Sequence, residues 1–155
     1  MTMQPVRDAN ATSGERNLGD LPEWDLSDLY TSPDAPELTR DLEWQKQACA
    51  HFADDYEGQL DTLDAKGLLE CLHRDEALSR TAGRIMSYAG LRYYQLTTDA
   101  QRAKFLSDHQ EKITIYTTPL VFFTLELNRV DDATVDALFD ANADLARYKP
   151  AIRRI

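Results

Sequence analysis

The sequence is short of cysteine, glycine, proline and basic residues, and each shortage closes off a class of protein. Its two cysteines, Cys49 and Cys71, sit inside apolar helical patterns with no Cys-x-x-Cys pair. That excludes a disulfide scaffold or a thiolate metal finger and leaves two reduced core residues. Six glycines and six prolines in 155 residues are too few for a linker or a loop-rich fold. Lys and Arg number 17 against 27 Asp and Glu, a net charge of −10. Nucleic-acid affinity rests on cations that neutralise phosphates, so no nucleic-acid partner is expected. The first 20 residues carry no apolar core of the kind a secretory signal needs. The most apolar stretch, Pro119 to Leu127, is interrupted by Thr124 and Glu126 and falls far short of the roughly 20 residues that span a bilayer. The reading is a cytoplasmic protein with no membrane segment.

What is present fits a folded domain. A hydrophobic fraction of 43% and a charged fraction of 28% lie in the globular range, and the length allows most of the apolar surface to be buried. Residues 1–20 are polar and form a flexible tail, because they cannot offset their ordering entropy by burial. Residues 21–155 form a helical lobe. It opens with Trp24 to Tyr30, which alternates large apolar with acidic or small residues and reads as an extended arm that docks.

Ser32 and Pro33 supply a cap and a first-turn proline, predicting a helix from Pro33 to about Tyr56 with Leu38, Leu42, Cys49, Phe52 and Tyr56 inward and Gly58 as the stop. Asp61 or Asp64 caps a second helix running to about Leu96, with Leu68, Leu72, Leu78, Ile85 and Ala89 on its apolar face and Gly67, Gly83 and Gly90 permitting a bend or close packing. Thr98 and Gln101 match a capping box that opens a third helix to about Leu127, kinked near Pro119. Its buried face is Phe105, Leu106, His109, Ile113, Tyr116, Leu120, Phe123 and Leu127. The short link at Thr97 and Thr98 makes helices two and three an antiparallel hairpin. Asp131 or Asp132 caps a short helix through Phe139, Asn142 to Asp144 form a turn, and Pro150 opens a last helix that the sequence does not finish. The predicted fold is all-α: a long antiparallel helical hairpin within a helical bundle.

The chemistry-bearing residues do not assemble into a site by spacing. His51, His73 and His109 lack a second histidine three or four residues away, the spacing that puts two imidazoles on one helical face, and isolated histidines on amphipathic helices read as satisfied core or boundary groups. Asp54-Asp55, Asp75-Glu76 and Asp131-Asp132 are adjacent residues whose side chains diverge on a helix, which suits solvated surface and capping. There is no glycine-rich phosphate loop and no nucleophile elbow. No catalytic and no metal-binding residue is assigned. The aromatic group of Tyr88, Tyr93, Tyr94, Tyr116, Phe122 and Phe123 reads first as hairpin core, with Tyr88, Tyr93 and Tyr94 as candidates to line a substrate channel, since aromatics with polar tips suit peptide-binding walls.

Four segments in order, Trp24 to Tyr30, Ser87 to Leu91 continuing to Asp99, Phe122 to Leu127, and Leu145 to Pro150, resemble the oligoendopeptidase F family of zinc metallopeptidases over residues 21–155. The resemblance implies a helical N-terminal lobe walling a deep channel, with zinc held by a His-Glu-x-x-His helix and a later glutamate in a catalytic half. No position here matches that motif, so the resemblance implies zinc for the full-length protein and none for this segment. It implies an oligopeptide substrate shared with the missing catalytic domain, and the acidic lobe would favour cationic or neutral peptides. The alternative is a self-contained helical module that binds a peptide or protein without catalysis.

Overall fold

The computed structural model describes residues 23–152, so the tail expected over residues 1–20 and the three residues after Ile152 lie outside the described part. Seven α-helices and two short 3-10 turns follow one another, with no strand among the described residues. The all-α class and the hairpin stand as expected. No described helix is long and apolar enough to cross a membrane.

The organising element is α2, Ala65–Gln95, about 46 Å long at 1.5 Å per residue. Asp64 caps it, its carboxylate accepting from Gly67 N–H at 2.7 Å. Helix α1, Pro36–Tyr56, and α3, Ala100–Thr117, both pack on α2 and on each other. On α1 the positions Gln45, Cys49, Phe52 and Tyr56 recur at three- and four-residue steps and are all buried, while α2 buries Leu68, Cys71, Leu72, Leu78, Ile85, Tyr88 and Ala89. Each apolar side chain so removed from water stabilises by about 1.5–3 kcal/mol.

Local starts and stops differ from the sequence reading at three places, each with a physical cause. Helix α1 begins at Pro36 rather than Pro33, and Ser32 caps nothing; Ala35, at φ −58° and ψ 131°, is held out of the helical region by the proline that follows it. The α3 cap is Asp99 rather than Thr98: its carboxylate accepts from Gln101 N–H at 2.8 Å and Arg102 N–H at 3.2 Å, and a charged acceptor also complements the helix dipole. The third helix is not one kinked rod. It ends at Thr117, passes through a 3-10 turn over Thr118–Leu120, and resumes as α4, Val121–Leu127. Pro119 brings no N–H to the ladder, and the Thr117 and Thr118 hydroxyls donate back to the Ile113 and Thr114 carbonyls at 2.8 Å.

The arm docks but is not extended throughout. Asp25 accepts from Ser27 N–H at 2.9 Å, an Asx turn, and Leu29 and Tyr30 N–H both donate to the Leu26 carbonyl. Tyr30 is buried, whereas Trp24 stays 57% exposed. Asp131 caps α5, Asp132–Ala141. Asn142, expected in a turn, caps α6, Ala143–Ala146, and α7, Lys149–Ile152, carries Pro150 in its first turn. Gly58 closes α1 at φ +75°, the left-handed region that favours glycine.

Candidate functional site

Two apolar clusters result. The larger joins α1, the lower half of α2, α4, α5, α6 and α7 around Phe52, whose ring meets Tyr56, Phe122 and Phe123 at centroid distances of 4.9, 6.0 and 5.6 Å. The smaller joins the arm, α1, the upper half of α2 and α3 around Tyr30, Ile85, Tyr88 and Ile113. The α2–α3 hairpin flanks this second cluster with a surface groove.

That groove is lined by Met86, Ser87, Gly90, Leu91 and Tyr94 of α2 and by Leu106 and Gln110 of α3, and holds about 490 Å³. This lies within the roughly 300–1,000 Å³ of ordinary ligand sites. Apolar walls with three dispersed polar groups, the Ser87 and Tyr94 hydroxyls and the Gln110 amide, are the composition such sites use. A Cβ on Gly90 would sit 3.8 Å from the Tyr94 ring, so the helix tolerates a side chain there and glycine keeps the floor open. Tyr94 is 64% exposed and is braced by Tyr93, their ring centroids 5.4 Å apart at 54°.

The three tyrosines are therefore divided. Tyr94 lines the groove and Tyr93 supports it. Tyr88 turns to the arm, 5.3 Å and edge-on to Tyr30 and 6.1 Å from Phe105, and burial raises its phenol pKa. Beside this contact a cleft of about 180 Å³ is lined by Tyr88, by arm residues including Trp24, Leu26 and Tyr30, and by Arg92 and Gln95. Gln95 is a pivot there: its amide donates to the Trp24 carbonyl at 2.8 Å and accepts from Arg102 at 3.3 Å.

The histidines occupy different settings. His51 and His73 are exposed, and the His73 ring meets Tyr148 edge-on at 5.9 Å. His109 is buried, stacks on Phe105 at 4.0 Å and donates from Nδ1 to the Phe105 carbonyl at 2.7 Å; desolvation lowers its pKa, favouring the neutral ring. No group of three or more His, Cys, Asp or Glu residues among those described is placed to hold a metal ion. The thiols are no better suited to chemistry. Burial pushes Cys71 up to about 12 and raises Cys49, which disfavours the thiolate that would act as nucleophile or metal ligand.

Sequence reasoning missed Gln45, fully buried on α1, whose Nε2 donates to Cys49 Sγ at 3.3 Å while Oε1 has no partner among the described residues. Its spacing from Cys49 and Phe52 was the available signal. It also missed Met86 and Gln110 in the groove, which carry no motif. No family model matches the chain, and neither the curated proteins nor the solved structures contain a match.

Proposed function

We propose that these helices wall the substrate channel of a zinc-dependent oligoendopeptidase hydrolysing short peptides, the catalytic zinc being held by residues other than those described. The observation that carries this reading is the open groove on the α2–α3 hairpin, apolar in lining, dotted with polar groups and overhung by the exposed Tyr94. A side chain of a bound peptide finds an apolar floor, and its backbone finds hydroxyl and amide partners, without a pocket deep enough to demand one sequence. The family resemblance supports the same reading, since the Ser87 to Leu91 segment that carries part of it supplies three residues of the groove wall. Val121 and Leu125 lie one turn apart on α4 and are exposed, giving the catalytic half an apolar surface to meet.

A fluorescein-labelled peptide of alternating lysine and leucine tests the reading by anisotropy. Binding is expected, weakened about tenfold by Tyr94→Ala, roughly 1.4 kcal/mol, and more by Gly90→Leu, which fills the floor. Equal affinity in wild type and both variants would remove the groove from the account. A self-contained binding module predicts the same titration but no zinc-dependent cleavage of that peptide by the full-length protein, and the cleavage assay separates the two.

A further inference from the structure

On the opposite face of α2, toward its start, lies a second and more enclosed pocket of about 220 Å³ between α1 and α2, lined by Trp44, Ala48 and His51 of α1 and Arg74, Ala77 and Leu78 of α2. We propose that it binds a carboxylate attached to a compact apolar group, of the kind presented by the C-terminal residue of a peptide or by a free N-acylated amino acid. Its geometry follows from the sequence. Trp44, Ala48 and His51 sit at i, i+4 and i+7, one face of α1, and the two alanines leave a hollow that larger residues would fill. Buried Leu78 closes the floor. Trp44, 43% exposed, forms an indole wall, and at the other end stand an imidazole and a guanidinium.

Arg74 is held in place. Its Nη1 pairs with Asp55 at 2.8 Å, and its Cζ lies 4.9 Å from the Tyr56 ring centroid and 5.8 Å from that of Phe52. A guanidinium carries five N–H donors in a fixed fork, so the pairing with Asp55 leaves donors for a ligand carboxylate. Among the described residues no ion pair or hydrogen bond engages His51, and its ring N–H supplies a further donor. A held guanidinium and a nearby imidazole beside an apolar hollow recognise an anionic head on an apolar body. The volume, below the usual range for drug-sized ligands, restricts that body to about one side chain. The net charge of −10 does not forbid this, because at physiological salt fields fade over about 8 Å and the contacting donors decide. This pocket is independent of the α2–α3 groove and of the peptidase reading.

The test is a ¹H–¹⁵N NMR titration of the chain with N-acetyl-leucine, N-acetyl-leucinamide and acetate. N-acetyl-leucine is expected to shift the Trp44 indole N–H and the Ala48 and Ala77 amides saturably. The amide, which lacks the charge, and acetate, which lacks the apolar body, are expected to bind at least about tenfold more weakly. A short peptide ending in leucine with a free carboxylate reproduces the shifts if peptide C-termini are the source; if only N-acetyl-leucine does, the source is the free acid. His51→Gln and Arg74→Lys are each expected to weaken binding several-fold, the lysine keeping a partner for Asp55 so that the fold is preserved, as circular dichroism would verify. Equal shifts from amide and carboxylate, or no saturable shift at Trp44, would overturn the proposal.

Discussion

The two apolar clusters are built from different chemistry. Around Phe52 the packing is almost wholly apolar: aliphatic side chains and phenylalanines from six helices, with Tyr56 at the edge beneath Arg74. Around Tyr30 and Tyr88 the same job is shared with charge. The Tyr30 hydroxyl donates to Asp41 at 2.6 Å, Arg84 reaches Asp41 at 3.2 Å and donates to the Leu29 carbonyl, and the Arg84 guanidinium lies 4.3 Å from the Tyr30 ring centroid. The first cluster is non-directional and tolerates nothing missing; the second fixes the arm at one register through a few directed bonds. The groove lies beside the second cluster, where the surface is defined by orientation as much as by burial.

The sharpest way to break the comparison is Phe52→Ala. It removes a fully buried ring and is expected to cost about 4 kcal/mol, lowering the urea midpoint of the whole chain. Tyr30→Phe keeps the ring and removes only the bond to Asp41; it is expected to cost about 1.5 kcal/mol and to speed amide exchange in the arm while leaving α5 to α7 unchanged. Acceleration spread evenly over both clusters would show that they are one cooperative unit. Gln45→Met removes an Oε1 that has no partner among the described residues, beside Cys49 of the larger cluster, and is expected to raise stability by up to about 1 kcal/mol in the same denaturation.

pH sharpens the contrast further, because His109 belongs to the hairpin. Its folded pKa lies below the ordinary 6.5, so the unfolded chain takes up the proton first. The stability it contributes is complete above pH 6.5 and declines as pH falls below that value toward the folded pKa. A melting series in that window should show the decline in wild type and a flatter profile in His109→Gln. The smallest effect expected is Gly83→Ala: a Cβ there meets nothing within 4 Å, and helix propensity alone should add about 0.5–1 kcal/mol.

How much of this could be read from the sequence depended on whether one residue or several competed for a role. The apolar faces of α1 and α2 were legible because a 3.6-residue period leaves little choice of inward positions, and Leu38, Phe52, Leu68, Leu78 and Ile85 are all buried. Ends were harder. Pro33 and Pro36 both fit a first turn, and only the restraint of Pro36 on Ala35 decides between them; Thr98 and Asp99 both fit a cap, and the carboxylate prevails. The break at Pro119 was placed correctly, but its depth was not, because the flanking threonines make the interruption tolerable by bonding the freed carbonyls. At the site, Tyr94 could be named as a candidate, yet nothing in the spacing alone showed that Tyr88, six residues earlier, would turn away to pair with Tyr30. That contact depends on the arm, a long-range partner invisible to local patterning.

The claim that the α2–α3 groove is a peptide-binding wall is tested most directly by mapping amide shifts on the chain as the lysine–leucine peptide is added. The account predicts saturable shifts at Met86, Gly90, Tyr94, Leu106 and Gln110, weakened as salt rises because the peptide is cationic and the chain acidic, with α5 to α7 undisturbed. Shifts centred on α5 to α7, or none at saturating peptide, would contradict it.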